Sequence, residues 1–174
     1  MLRAHSNIIF ISIIILLSSK VVFSTCNGTA PCTCTIATTN MPFGNYQFST
    51  ASPTDSQATV TVSCSSGGLS DLSASYTISG GFDGNPPTQR YMSGPSSSQL
   101  LYNLYTDINH TNIFGDGLNG TSTVSGSCSQ TCPIIIVCGP RSCSSDHIIY
   151  GRIPASQTVT AGSYSQTIQV TVTF

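Results

Sequence analysis

Eight cysteines, all lying beyond an N-terminal apolar run, constrain this chain more than any other feature: Cys26, Cys32, Cys34, Cys64, Cys128, Cys132, Cys138 and Cys143. Ahead of them Arg3 supplies a small positive region. Ile8 to Leu17 (IIFISIIILL) is then almost unbroken hydrocarbon, and small and polar residues follow, ending in VVFST. Such a run is about half of what a bilayer-spanning helix requires and has the length of a signal-peptide core. Val22 and Ser24 meet the small-residue requirement of a cleavage site, so residues 1–24 read as a signal peptide and residues 25–174 as the mature domain. Lys20 interrupts any extension toward a retained anchor, leaving no membrane span after cleavage. The FST before Cys26 lacks the small Gly or Ala that normally precedes a lipidated cysteine. An even number of cysteines behind an export signal reads as a disulfide framework. Eight cysteines allow on the order of a hundred pairings, so the connectivity stays open at this level.

The mature part keeps only Arg90, Arg141 and Arg152 against Asp55, Asp71, Asp83, Asp107, Asp116 and Asp146, with no lysine or glutamate. Nucleic-acid binding needs a basic patch to neutralise phosphates, and three scattered arginines do not make one. Sparse charge also leaves little self-repulsion to keep copies apart, which suits an assembling or surface-attached protein. A mature length of roughly 150 residues supports one domain with a real core.

The apolar pattern is that of strands. In Ala58 to Cys64, Val60, Val62 and Cys64 share one face while Thr59, Thr61 and Ser63 share the other. Ser73 to Ser79 repeats the pattern with Ala74, Tyr76 and Ile78. Shorter strands are expected at Cys32 to Ala37, Arg90 to Met92, Leu100 to Tyr105 and Ile148 to Ile153, with a loosely alternating stretch at Met41 to Phe48. Gly80 to Pro87 and residues 109–126 read as loops, and Ile134 to Val137 as a buried strand or hairpin stapled by its flanking cysteines. The last segment alternates most cleanly: Ile168, Val170, Val172 and Phe174 against Thr167, Gln169, Thr171 and Thr173. Nothing in the mature chain has the spacing of an amphipathic helix. Short alternating strands between Gly/Pro/Ser turns imply an all-β sandwich.

Catalytic and metal chemistry find no foothold. Disulfide-bonded cysteines offer no thiolate, no GxSxG elbow selects a serine, and Asp107 and Asp116 sit in a flexible segment that fixes no distance between them. Cys32-x-Cys34 and Cys128-x3-Cys132 have no well-placed histidine to complete a zinc site, since only His110 and His147 lie in the mature chain. Gly115-Asp116-Gly117 reads as a structural turn rather than a calcium loop. The expectation is a protein that is not an enzyme and carries no metal or cofactor. Asn27, Asn109 and Asn119 begin glycan-acceptor sequons. Tyr91, Tyr102 and Tyr105 form either core edges or a sugar-binding surface.

Several strings taken in order are more specific. PFGNY at Pro42 to Tyr46, TVSC at Thr61 to Cys64, RYM at Arg90 to Met92, LLYNLYTD at Leu100 to Asp107, FGDG at Phe114 to Gly117, YGRIPASQ at Tyr150 to Gln157 and the terminal GSYSQTIQVTVTF carry a resemblance. By these the chain resembles the spore coat protein U domain family, which includes subunits of the archaic chaperone–usher pili. The resemblance implies an incomplete immunoglobulin-like sandwich, here with a disulfide-rich insertion, that serves as a structural subunit of a surface fibre or coat. Its groove would accept a donor strand from a periplasmic chaperone or from a neighbouring fibre subunit. The protein would be secreted, with the periplasm as its route to the cell surface. The resemblance also implies Ile168, Val170, Val172 and Phe174 as the edge of that groove, and a disulfide from a first-strand cysteine, Cys34 rather than Cys32 or Cys26, to Cys64. The insertion from Cys128 to Cys143 lies between the family landmarks, so local bridges are expected there, nested as Cys128–Cys143 and Cys132–Cys138. TCNGTAPCT, before Cys34, has neither the length nor the apolar alternation of a donor strand. The alternative to a fibre subunit is a secreted or cell-surface binding module that does not polymerise.

Overall fold

Residues 9–13, 32–67, 71–82, 86–132 and 139–174 are described in the computed structural model of the chain. Within them the regular structure is strand, apart from one 3-10 turn at Pro95–Ser97. In chain order the strands are β1 Ile9–Ile13, β2 Cys32–Thr38, β3 Met41–Tyr46, β4 Thr54–Ser66, β5 Leu72–Phe82, β6 Tyr91–Ser93, β7 Gln99–Leu101, β8 Asn103–Tyr105, β9 Val124–Gln130, β10 Arg141–Ile153 and β11 Gln169–Thr173. They pair antiparallel into a four-stranded sheet of order β2-β4-β10-β8 and a three-stranded sheet of order β11-β5-β9. The two-stranded pairs β1-β3 and β6-β7 complete the set.

The alternation in sequence becomes the two inner faces of a sandwich. Ala58, Val60, Val62 and Cys64 of β4 are buried, as are Ile149 and Ile153 of β10. From the other sheet come Leu72, Ala74, Tyr76 and Ile78 of β5 with Val170 and Val172 of β11, and all belong to one apolar cluster. Burial of this kind, at about 25 cal/mol per Å² of apolar surface, is the main favourable term available to the fold. Two disulfides add to it. Cys34 and Cys64 are directly opposed on β2 and β4 and are bonded, with Cα atoms 4.0 Å apart. Cys143 stands opposite Cys64 on the next strand and bonds to Cys128 of β9, thereby tying the two sheets together. Cys32 and Cys132 are also disulfide-bonded. Cys26 and Cys138 lie outside the described residues, as does the Ile134 to Val137 strand expected from sequence.

Several elements differ from their expected extent. β4 and β10 each run for 13 residues, well beyond the apolar stretches that mark them in sequence. Leu100 to Tyr105 divides into β7 and β8, and β9 begins inside the stretch read as a long loop.

The face assignment of β11 generates a direct test. Val170 is 6% exposed while Thr171, its neighbour, is exposed. Val170→Asp places a carboxylate in the core and should cost more than about 3 kcal/mol, abolishing soluble folded protein, whereas Thr171→Asp should melt within a few degrees of the parent. Equal soluble yield and equal Tm for the two variants would contradict the assignment.

Candidate functional site: the strand edges

β11 is positioned by its ladder to β5, in which Val170 to Thr173 face Gly80 to Thr77. A bulge follows where Gln169 pairs with Phe82. Ile168, Val170 and Val172 point inward and are buried. Phe174 is only half-buried and lies edge-on to Tyr76, with ring centroids 5.8 Å apart. The other side of β11 has no strand partner among the described residues, so its backbone donors and acceptors form an edge.

A second edge is one that sequence reasoning missed. β3 carries Met41, Phe43 and Tyr46 inward, all buried. The step from 43 to 46 breaks the period of two because Gly44 adopts a φ of +70°, a left-handed value that glycine takes without strain. β3 lies against the end of the larger sheet. Ser56 Oγ donates to the Pro42 carbonyl (2.5 Å), and Tyr46 Oη donates to the Pro154 carbonyl (3.1 Å) while accepting from the Gln157 amide (2.8 Å). Gly151 of β10 permits the approach. A Cβ there would lie 2.3 Å from Met41 Sδ and 2.7 Å from the Phe43 ring. Along the free side of β3 runs β1, antiparallel, from Ile9 opposite Tyr46 to Ile13 opposite Met41, with the register shifting at Ile11/Ser12 beside the bulge. Thus β3 is completed by a segment from the N-terminal apolar run. The signal in sequence was the irregular PFGNY string, whose glycine hides the alternation.

The polar residues weighed for chemistry are occupied in holding loops. Asp107 accepts hydrogen bonds from Thr111 N, Thr111 Oγ1 and Asn112 N. The Asn112 bond leads in holding its carboxyl below the usual carboxylate range. Asp116 accepts from Leu118 N and Thr121 Oγ1, and its carboxyl is likewise lowered, chiefly by the Leu118 amide. No group of three or more His, Cys, Asp or Glu side chains converges on a metal position among the described residues. The described cysteines are disulfide-bonded and offer no thiolate. His147 of β10 lies 2.8 Å, through Nε2, from the Tyr76 hydroxyl across the sheet interface. Its burial lowers the imidazole pKa, opposed by the neighbouring Asp146 carboxylate.

The geometry defines a class: a disulfide-bonded antiparallel sandwich with open strand edges. The family model of the Spore Coat Protein U domain matches residues 22–171, and the chain belongs to that family. The family is structural and non-enzymatic, of spore-coat or pilus-type surface proteins, and is generally extracellular or surface-associated. No curated protein matches the sequence. No helix among the described residues is long and apolar enough to cross a membrane.

Two measurements follow. Replacing Cys128 and Cys143 together by alanine removes the link between sheets and should lower stability by about 2–5 kcal/mol, read by denaturant melting under oxidising conditions. An unchanged midpoint would show that the sheets are held without it. For His147 the folded value lies below the unfolded one of about 6.5. Its contribution is therefore fully present above about pH 6.5 and is lost as pH falls through the lowered folded value. Between pH 8 and 5 the Tm of the parent should fall more steeply than that of His147→Gln, and parallel curves would contradict the assignment.

Proposed function

We propose that the domain is a structural subunit of a surface fibre or coat, and that it accepts a donor strand from a periplasmic chaperone or a neighbouring subunit. The observation that carries this reading is the β1–β3 ladder, in which the free side of β3 is hydrogen-bonded to an extended apolar segment from outside both main sheets. Residues 1–24 act as a signal peptide. Their removal takes β1 away and leaves the β3 edge and its Met41, Phe43 and Tyr46 side chains in need of a new strand. β11 borders the groove on the side of the smaller sheet, with Phe174 at its end. β-augmentation supplies the energy: the edge gains main-chain hydrogen bonds and the incoming side chains complete the core.

The mature N-terminus is a poor donor. In residues 25–33, Gly28 and Ala30 offer little area to bury, and Pro31 lacks the N–H a continuous ladder needs. Such small side chains do not offset the roughly 1–2 kcal/mol of backbone entropy lost per ordered residue. The chain therefore accepts a strand without giving one.

The test uses residues 25–174, oxidised, with a solubilised peptide spanning Ile8 to Leu17. The peptide should raise Tm by roughly 5–10 °C at about a hundredfold excess over Kd, and a version with proline in place of Ile11 should not. No stabilisation by the parent peptide would sink the strand-acceptor reading. Self-association that disappears on deleting residues 25–33 would overturn the acceptor-only part alone.

A further inference from the structure

The outer face of the larger sheet carries an aromatic cluster distinct from the β3 and β11 edges. Because Ile149, Gly151 and Ile153 face the core, Tyr150 and Arg152 of β10 face outward. Register sets Tyr150 beside Tyr105 of β8 and Gln57 of β4, and sets Arg152 beside Asn103 and Asp55. Two parallel rows result: Gln57, Tyr150, Tyr105 and Asp55, Arg152, Asn103. Both tyrosines are half-buried, so their rings are fixed while part of their surface stays open. Between them sits His110, edge-on to Tyr105 (centroids 5.0 Å apart) and to Tyr150 (6.2 Å). Its side chain is only 7% exposed, its backbone is in the left-handed region at φ 58°, and its Nε2 lies 3.8 Å from Asp55 Oδ1, beyond hydrogen-bond distance.

A hollow opens on each side of this cluster. One, of about 510 Å³, is lined by Tyr105 with Tyr91, Gln89, Gln99 and Asn103. The other, of about 400 Å³, is lined by Tyr150 with His110, Ile108, Gln57 and the Asp55–Arg152 pair. Tyr105 lines the first hollow and Tyr150 the second, and their direct cross-strand pairing sets the two hollows, which share no lining residue, next to one another as a two-part track. Its charges cancel. Arg152 Nε and Nη2 each lie 2.7 Å from an Asp55 carboxylate oxygen, a bidentate pair. Asn103 Oδ1 is taken by Arg90 Nη1 (2.6 Å) and Leu104 N (2.8 Å), which leaves its amide nitrogen as a donor. The side-chain amides of Gln57, Gln89 and Gln99 make no bond among the described residues and supply both donors and acceptors.

We propose that this track is a binding site for a short neutral oligosaccharide, with one sugar ring on the Tyr91–Tyr105 side and the next on the Tyr150–His110 side. A pyranose presents a C–H face that packs on an aromatic ring and a rim of hydroxyls that pair with planar amides, and the track offers both. An anionic ligand is disfavoured because Arg152 is already neutralised by Asp55. A nucleic-acid strand stacks on tyrosines too, but it needs unpaired cations along its phosphates. A wholly apolar ligand leaves the side-chain amides of the track unpaired. The site lies on the outer face of β8 and β10, so it does not depend on whether the β3 edge takes a strand.

The chain has no tryptophan to mask tyrosine emission, and three of its seven tyrosines, Tyr91, Tyr105 and Tyr150, belong to the track. The oxidised protein is titrated with maltotriose, cellotriose and triacetylchitotriose, with sialyllactose as the charged comparison, by fluorescence and calorimetry. At least one neutral trisaccharide binds better than sialyllactose, and Tyr105→Ala and Tyr150→Ala each weaken it by about tenfold or more. Tyr91→Ala and Gln99→Ala, on the short β6–β7 hairpin, give the same direction of change if either inner tyrosine variant fails to fold. Absence of binding by every neutral probe up to ~10 mM overturns the proposal. So does tighter binding of sialyllactose, or affinity unchanged in the folded tyrosine variants.

Discussion

The ladder between β4 and β10, paired without interruption from Arg141 opposite Ser66 to Ile153 opposite Thr54, is the constraint from which the other features take their places. It fixes which residues share a row. Cys34, Cys64 and Cys143 come to lie side by side on three adjacent strands, which lets one bridge close within the sheet and the next reach across to Cys128. The same register sets Gly151 under Met41 and Phe43, so β3 settles where no side chain intervenes, and it sets Arg152 against Asp55. A slip of one residue would turn every core side chain of β10 outward and separate the cysteines from their partners. Disulfide pairing and edge geometry are thus consequences of one antiparallel pairing.

A buried cation fastens the segments around β8. Arg90 is 1% exposed and donates to the Pro87 carbonyl, to Asn103 Oδ1 and to the Phe114 carbonyl. These groups belong to a loop, to β8 and to the segment after it, so one guanidinium ties two irregular stretches to a strand. Hydrogen bonds from a charged donor contribute about 1.5–3 kcal/mol each, and removing the donor leaves buried carbonyls unsatisfied. Phe114, held by this contact, packs so closely on Gly80 of β5 that a Cβ there would lie 2.6 Å from its ring. The RYM string singled out in the sequence therefore marks a fastening point rather than a surface feature.

How much was legible depends on where the apolar residues fall. Ile168 to Phe174 and Ala58 to Cys64 show period two because one face is core and the other solvent; the second lies wholly within β4, and the first is strand over Gln169–Thr173. Arg141 to His147, RSCSSDH, has no such pattern, and only pairing with β4 makes it strand; tertiary context outweighs local propensity there. β9 is concealed for the same reason, since Val124 to Gln130 presents Cys128 as its one fully buried apolar side chain. The tyrosines could not be sorted by spacing. Tyr102 is 3% exposed and lies in the core, while Tyr91 and Tyr105 stay half-buried at the surface. Their partner Tyr150 is far away in sequence and is found only through the register. Likewise the Gly44 bulge in β3 disguises an inward face that is evident once the backbone is seen.

An open edge is a hazard in a chain with so few charges. Proteins usually guard such edges with lysines, prolines or inward-pointing charges, and residues 25–174 contain no lysine. β11 shows Gln169, Thr171 and Thr173 to solvent, groups that pair readily and repel nothing. On the proposed removal of residues 1–24, β3 is bared as well: Pro42 and the Gly44 bulge interrupt it, but it carries no charge, and Met41, Phe43 and Tyr46 are its buried side chains. On the proposed reading this lack of protection is functional. A domain meant to take a strand cannot also fend strands off, so its specificity must come from the shape of the groove and from whichever chain reaches it first. Covering the edge during transit then becomes a requirement of the sequence itself. The β1–β3 ladder indicates the kind of cover that fits: a short apolar strand, antiparallel to β3, with its register shifted where Gly44 turns the backbone.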